Sequence, residues 1–198
     1  MAYTSAAAIR SYLGADGTGD DTLLTALANR ASAAIDQFCR RPFAAAVDAT
    51  RYYTVGKDTD GRMLYLDADL CQITTIKTDA DAASPVTLAA ADYITHPRNL
   101  TPWHSIELKM SSDESWTYTD DAADGIEIVG RWAYSLTPPD DIVHAAVRLS
   151  AFYYRQKDAQ VFDTTAIPEA GVITVPQGLP RDIRLILEPY RRVEMVIS

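Results

Sequence analysis

The spacing of the apolar residues changes twice along the chain, and this change limits the possible folds more than any other feature of the sequence. Between Asp20 and Phe43, apolar residues recur every three or four positions, as on the buried face of a helix. From residue 51 onwards, short segments alternate apolar and polar residues and are rich in β-branched and aromatic types, which is typical of strands. Helical spacing returns after Pro138 and Pro139. The sequence therefore predicts an α+β protein with a β block inserted between helical ends.

The central block is expected to contain about six or seven short strands. The segments that carry them are RYYTVG, RMLYLD, CQITTIKTD, DYITH, SIELKM and GIEIVGRWAYS. No helical pattern separates these segments, so most neighbouring strands should pair antiparallel. We accordingly divide the chain into a helical part (1–46), an antiparallel β block (47–136) and a second helical part (137–198). The helices from the two ends are expected to pack together as a small bundle.

The predicted helices carry recognisable end signals. Thr4 is expected to cap a short first helix that ends at Gly14, and Asp20 or Asp21 to cap the second helix. A third helix begins within TPPDD, where proline suits the first turn and aspartate suits the positive end of the helix dipole. A fourth helix runs from about Pro180 through RDIRLILE.

The second helix must end at the stretch CRRPF. Pro42 forbids its continuation, and Arg40 and Arg41 are expected to lie favourably against the negative end of the helix dipole. The stretch then turns the chain into the β block.

The charge balance argues against one class of function. The chain has 198 residues and a formal net charge of −9, whereas a protein that grips nucleic acid without sequence preference needs the opposite sign. An acidic wall that lets DNA pass without holding it remains compatible with this charge. We see no basic leader sequence, and no apolar run approaches the roughly 20 residues of a membrane helix.

The cysteine content predicts free thiols. Cys39 and Cys71 are too few for a disulfide framework and lack the spacing of metal ligands, as expected for a protein kept in a reducing cytosol. Cys39 falls on the apolar stripe of the second helix, so we expect it to be buried and unreactive.

No catalytic constellation is recognisable. His144 lies beside alanines on a predicted helix, and His96 and His104 lie in a proline-bearing linker of the β region, so all three are expected to be exposed or locally hydrogen-bonded. No serine lies in a nucleophile-elbow pattern, and the glycine-rich GADGTG lacks the lysine of a phosphate-binding loop. The sequence predicts no catalytic residue, no metal ligand and no cofactor.

Two acidic turns keep an alternative open. Asp58, Asp60, Gly61 and Asp67 fall at calcium-loop offsets, but Gly56 stands where the first ligand belongs, so a hairpin turn is the better interpretation. A second acidic cluster, which is equally good turn chemistry, could bind a divalent cation weakly; it consists of Asp120, Asp121 and Asp124. The alternative function is a small cytosolic metal-binding or enzymatic domain that uses these turns.

The aromatic residues of the β block and the terminal PYRR each have two interpretations. Most of the aromatic residues should be core or strand-face packing, while a minority could anchor protein contacts. They are Tyr52, Tyr53, Tyr93, Trp103, Trp116, Trp132 and Tyr134. PYRR is either a solvated tail or a docking peptide.

An ordered set of motifs resembles a known family. A DD-LL start leads into a helix with AS-AID-FC-R-F, and after the β block come P-DI--A---L--FYYR and a final LP-DI---L-PYRR. These elements cover Asp20–Phe43, Pro139–Arg155 and Leu179–Arg192, and they resemble the head–tail connector proteins of long-tailed bacteriophages, also called head-completion or adaptor proteins. The resemblance implies helices with a β element, assembled as a ring, typically twelvefold, beneath the capsid portal. Such a ring extends the DNA channel and docks the next neck or tail component.

Carried over by position, the resemblance assigns roles to three regions. The C-terminal residues commonly reach the portal protein in this family, which makes portal-contact candidates of Pro189, Tyr190, Arg191 and Arg192. Candidates for contacts between subunits are Arg40, Arg41, Tyr154 and Arg155. The long stretch 158–178 has no helical period and is a further candidate for subunit or channel contacts. The implied location is the head–tail junction of a virion, after synthesis in the host cytoplasm, with a neck, stopper or tail-completion protein as the other partner.

Overall fold

The computed structural model describes residues 1–159, 165–167, 171–173 and 178–192. The chain divides into two compact units, which we call the helical unit (Met1–Arg40 and Pro138–Ser198) and the β unit (Arg41–Thr137). The predicted α+β class is confirmed, because helices from both ends of the sequence share one unit and antiparallel sheets form the other.

The helical ends and the central β block follow one another in the order that the apolar spacing indicates, while two further short strands lie in the stretch 158–178, for which no strand was predicted. The secondary-structure elements are α1 (Ala6–Leu13), α2 (Asp21–Cys39), β1 (Ala49–Tyr53), β2 (Thr59–Asp60), β3 (Met63–Leu70), β4 (Gln72–Thr78), β5 (Val86–Thr87), β6 (Tyr93–His96), β7 (Trp103–Leu108), β8 (Ile126–Arg131), α3 (Asp140–Ala159), β9 (Thr165–Ile167), β10 (Gly171–Ile173) and α4 (Arg181–Leu187). Single turns of 3₁₀ helix cover Ala122–Asp124 and Glu188–Tyr190.

The ends of α1 and α2 differ in part from the prediction. Ser5, and not Thr4, caps α1, since its hydroxyl oxygen accepts a hydrogen bond from the Ala8 N–H at 3.2 Å. Gly14 ends this helix with a φ of 67°, as expected. Asp20 occupies the cap position of α2, but its side chain makes no capping hydrogen bond. Its carboxylate accepts instead from the hydroxyl of Tyr154.

The core of the helical unit is built from aliphatic residues and alanines. The alanines on α2 and α3 are small, so the two helices can approach each other closely. The fully or nearly buried residues are Ile9, Leu24, Ala28, Ala31, Ile35, Cys39, Ile142, Ala145, Ala146, Leu149, Ala151, Ile183 and Leu187. Two buried serines, Ser32 and Ser150, donate their hydroxyl hydrogens to the carbonyl one turn earlier, so neither hydroxyl lacks a partner.

The β unit contains two four-stranded antiparallel sheets. Their strand orders are β1-β8-β4-β5 and β2-β3-β7-β6. Residues 41–137 are all described and contain eight strands, more than the six or seven predicted, because β2 and β5 are only two residues long and carry no readable alternation. Between β2 and β3 the turn residues Gly61 and Arg62 link Asp60 to Met63, which confirms the hairpin interpretation of this stretch.

One apolar core serves both sheets of the β unit. Ile76, Ile126 and Ile128 contribute from the first sheet, while Leu64 and Ile106 contribute from the second. Trp116, 7% exposed, belongs to the same cluster, and its indole N–H donates to the Arg62 carbonyl at 2.9 Å. Most of the aromatic residues singled out in the sequence therefore have packing roles. None of the helices in the described part of the chain has the length and apolar character needed to cross a membrane.

Candidate interaction surfaces

The C-terminal segment, which we define as Pro189–Arg192, is fastened to the helical unit. The Tyr190 hydroxyl donates to a carboxylate oxygen of Asp141 at 3.0 Å, and the Arg192 N–H donates to the Cys39 carbonyl at 2.9 Å. The Arg191 guanidinium lies 5.9 Å from the centre of the Phe38 ring. The segment is thus neither a solvated tail nor an unattached peptide; it presents Pro189 and Arg191 to solvent from a fixed position.

Arg40 and Arg41 have different surroundings. Arg40 follows the last residue of α2 with a φ of 55°, its N–H donates to the Asp36 carbonyl, and its side chain is exposed. The Arg41 side chain is only 12% exposed, and its Nε lies 3.2 Å from a carboxylate oxygen of Asp69, which is 1% exposed. The expectation that both arginines complement the helix dipole is therefore wrong for Arg41, because a buried carboxylate in the β unit takes up its charge.

The carboxylate of Asp69 has a second basic neighbour. His104 Nδ1 lies 3.5 Å from its other oxygen, and the Arg41 guanidinium also lies 5.5 Å from the centre of the Tyr134 ring. This cluster fixes the beginning of the β unit to β3 and β7.

At the end of α3, Tyr154 is engaged within its own chain. Its hydroxyl donates to the Asp20 carboxylate, and the Lys157 ammonium lies 3.7 Å from the same carboxylate. The hydrogen bond from Tyr154, followed by the charge of Lys157, lowers the pKa of the Asp20 carboxyl. Arg155 is exposed and borders a small cavity of about 180 Å³ with Tyr12 and Phe152.

A larger cavity of about 480 Å³ lies between α2 and α3. Phe38, Phe152 and Tyr153 line it, and Arg30 stands with its guanidinium 4.5 Å from the centre of the Tyr153 ring. Burial raises the pKa of the Tyr153 hydroxyl. Tyr153 therefore lies at the wall of this cavity.

The acidic cluster of the β unit is organised as a turn. The carboxylate of Asp81 accepts hydrogen bonds from the N–H groups of Thr119, Asp120 and Asp121 at 3.0, 2.6 and 2.6 Å. These bonds, that from Asp121 first, hold the pKa of the Asp81 carboxyl at about 2. Asp121 in turn caps the short 3₁₀ helix through the Ala123 N–H. The cluster is ordered by its own backbone, in the manner of turn chemistry.

Two carboxylates in and near the β2–β3 hairpin also accept hydrogen bonds from within the chain. Asp58 accepts from the Thr54 N–H at 2.8 Å, while Asp67 accepts from Arg51 and from the Tyr53 hydroxyl. Across the described ranges of the chain, no group of three or more His, Cys, Asp or Glu side chains is placed so that it could hold a metal ion.

The histidines lie where the sequence suggested. His96 Nε2 is 2.9 Å from a carboxylate oxygen of Glu107, His104 faces Asp69, and His144 is exposed on α3. The prediction of exposed or locally bonded histidines is confirmed.

Sequence reasoning missed Asp69 and Asp81. Both residues bind partners that are distant in sequence. Asp69 forms an ion pair with Arg41, and Asp81 accepts hydrogen bonds from the backbone around residue 120. Asp69 offered one usable signal, because it stands in DADL at the end of an apolar strand, where a charge needs a partner.

The thiol of Cys39 is expected to be unreactive in the native protein. Cys39 is 0% exposed, and its Sγ lies 3.8 Å from the Leu187 carbonyl oxygen. Cys71 is 7% exposed, and burial raises the pKa of its thiol. Because the thiolate is the reacting species, both should react with a thiol reagent at least about 100-fold more slowly in the native than in the denatured protein. Rapid modification of Cys39 under native conditions would contradict its assigned place in the core.

Comparisons with known proteins extend over both units of the chain. The sequence model of a family described as "Head completion protein" matches residues 2–193, which include both units. No curated protein sequence matches the chain. A chain in the structure described as "Neck of empty GTA particle computed with C6 symmetry" is similar with a TM-score of 0.59 and 19% identity, covering 98% of this chain and 91% of that one. A chain in "Virion of native gene transfer agent (GTA) particle" is similar with a TM-score of 0.58, the same identity and the same coverage. At this identity the likeness shows a shared fold.

Proposed function

The chain belongs to the head completion protein family, and from this premise we propose that it is a connector subunit that forms a ring beneath the capsid portal. As a member of this family it is a structural protein and not an enzyme. In the proposed role the ring extends the DNA channel and docks the next neck or tail component, at the head–tail junction of a phage or phage-like particle. The observation that carries the proposal is the family match over residues 2–193, because this match includes residues of both units.

The symmetry proposed for the ring is twelvefold. The neck particle that contains the similar chain was computed with sixfold symmetry. A twelvefold axis contains a sixfold one, so a ring of twelve is compatible with that description. The two compact units also suit a ring subunit, because one can contact the portal while the other contacts a neighbour or the next component.

The charge of the chain supports a channel that does not hold DNA. A net charge of −9 disfavours phosphate contacts, so DNA can pass through the ring without specific binding. The proposed location follows from the same role: the protein is made in the host cytoplasm and ends at the neck of the particle.

For the portal contact we propose the C-terminal segment, Pro189–Arg192. Pro189 and Arg191 are exposed, while Tyr190 and the backbone of Arg192 fix the segment to α2 and α3. A rigid presentation of this kind reduces the entropy that binding must overcome. Arg40, Tyr154 and Arg155 remain proposed subunit contacts; Arg41 is proposed with them, although its charge is already paired with Asp69. Most of the stretch 158–178 lies outside the described residues, and its proposed role rests on the sequence.

The proposal is tested by mixing the purified chain with the portal protein of its own particle and examining the mixture by electron microscopy. A ring of this chain on one face of the portal is expected. Arg191→Glu should weaken portal binding by at least about tenfold, because it reverses a charge at the proposed contact. Arg184→Glu is the matched control, since Arg184 is an exposed arginine on α4. Removal of everything after Glu188 is a poorer test, because it also deletes the Tyr190–Asp141 and Arg192–Cys39 hydrogen bonds.

Two outcomes would count against this proposal. A chain that leaves the portal bare at concentrations of about 0.1 mM would refute the connector role, since assembled necks need stable contacts. Equal loss of binding in the Arg191 and Arg184 variants would refute the specific role of the C-terminal segment.

A further inference from the structure

A cavity of about 480 Å³ in the β unit combines cations with aromatic rings. It is lined by Gln72, Ile73, Tyr93, Arg98, Trp103 and Lys109, among others. Among the described residues, neither Arg98 nor Lys109 has a carboxylate in ion-pair contact; Lys109 donates to the Ala91 carbonyl at 2.6 Å. These two cations give the cavity a local positive charge in a chain of net charge −9, and arginine and aromatic residues are preferred at protein interfaces.

The same unit carries a group that suits this cavity. We call residues Tyr118–Asp124 the acidic turn. Asp120, Asp121 and Asp124 are exposed, and Tyr118 is 46% exposed beside them. The three hydrogen bonds from its backbone to Asp81 hold the turn in one conformation. The turn therefore presents an aromatic ring and three carboxylates on a fixed backbone.

The cavity and the acidic turn lie towards opposite ends of the same strand. Gln72 and Ile73, which line the cavity, are the first residues of β4. The segment around the turn is bonded to the other end of β4 and just beyond. The Thr117 N–H donates to the Thr78 hydroxyl oxygen, and the Thr119 hydroxyl donates to an Asp79 carboxylate oxygen. Six residue steps at about 3.4 Å separate Gln72 from Thr78 by about 20 Å. An interaction between turn and cavity would accordingly join two copies of the chain.

We propose that the acidic turn of one copy docks into the cation-bearing cavity of the next copy, with Asp120 and Asp124 facing Arg98 and Lys109 and Tyr118 contacting the aromatic wall. This inference rests on the proposed ring, and it names the seam between neighbouring subunits. Because the two surfaces are different, the contact is head to tail, which is the type that generates rings when the rotation closes. Charge complementarity across the seam fixes the register, and the rigid turn lowers the entropic cost of docking.

Two sets of charge reversals test the seam in the full-length chain. The cavity variant is Arg98→Glu with Lys109→Glu, and the turn variant is Asp120→Lys with Asp124→Lys; Asp121 is left unchanged because it caps the 3₁₀ helix. Sedimentation equilibrium up to about 1 mM should show self-association of the unmodified chain, and each variant should lower the association constant by at least about tenfold.

A mixture of the two variants tests whether the acidic turn and the cavity contact each other between copies. Within each variant the turn and the cavity carry like charges, whereas between the two variants both the unchanged pair and the reversed pair are complementary. An equimolar mixture should therefore associate as strongly as the unmodified chain, with the two variants alternating. A chain carrying all four reversals should associate again, because the charges are exchanged across the seam. The control pair is Lys57→Glu with Asp16→Lys, exposed residues outside both surfaces, which should leave association unchanged.

The outcomes distinguish this inference from the proposed function. Association of the unmodified chain that neither variant weakens would overturn the seam and leave the ring proposal standing. An unmodified chain that stays monomeric at about 1 mM would also overturn the seam. Failure of the chain to assemble on the portal would instead refute the connector role. Circular dichroism of each variant confirms that it is folded.

Discussion

Replacing Gly130 with alanine is expected to lower the free energy of unfolding by at least about 3 kcal/mol. Gly130 is buried in β8, between β1 and β4, and a Cβ at this position would lie 2.3 Å from the Gln72 carbonyl oxygen and 3.0 Å from Leu70 Cδ1. The first of these atoms belongs to the backbone, so a side-chain rotation cannot relieve the clash. Either the strand pairing opens or β4 moves away from β8.

The measurement is urea unfolding followed by tryptophan fluorescence, because Trp116 and Trp132 are buried in the core of the β unit. Gly19→Ala is the matched control, since no atom lies within 4 Å of a Cβ placed there and its φ is not positive. The control should change the free energy of unfolding by less than about 0.5 kcal/mol. A Gly130→Ala protein as stable as the control would show that β4 and β8 are not this close.

The local features of the fold could be predicted from the sequence. The stripe on α2 and the helix stop before Pro42 depend on residues within one or two turns, and both are present in the structure. The error at the first helix cap has the same local scale: Thr4 and Ser5 are adjacent and chemically equivalent, so the sequence does not distinguish them.

The pairing of the strands could not be predicted, because it depends on contacts that are distant in sequence. β1 pairs with β8, and β4 lies on the other side of β8, so three strands spread over residues 49–131 are neighbours in one four-stranded sheet. Alternation identifies a strand and its buried face but contains no information about its neighbour. The close approach at Gly130 arises from this pairing and was equally invisible in the sequence.

The candidate interaction residues could likewise be predicted only in part from the sequence. Tyr190 and Arg191 were singled out by the family resemblance, but their attachment to Asp141 and Phe38 requires the packing of α4 on α2 and α3. Tyr154 was expected on an interface, and the structure shows in addition that its hydroxyl is committed to Asp20. A motif therefore identifies which residues are unusual, while only the tertiary structure shows what each already contacts.

Replacing Arg41 with methionine is expected to lower the free energy of unfolding by about 3 kcal/mol. The change leaves the stem of the side chain in place and removes the charge that faces Asp69, whose side chain is 1% exposed. A carboxylate shielded from water in this way is costly without a cation.

A double-mutant cycle separates the ion pair from any role of Arg41 between subunits. The variant with both Arg41→Met and Asp69→Leu removes both charges, so it should recover at least about half of the stability lost in the single Arg41 variant. Arg40→Met is the control, because that side chain is exposed, and it should change the free energy of unfolding by less than about 0.5 kcal/mol. If Arg41 acted only across a subunit contact, its substitution would leave the stability of the dilute monomer unchanged and weaken assembly alone. If the monomer is destabilised at concentrations where no ring forms, the main contribution of Arg41 is to the stability of the β unit. There its guanidinium joins the start of the unit to the end of β3.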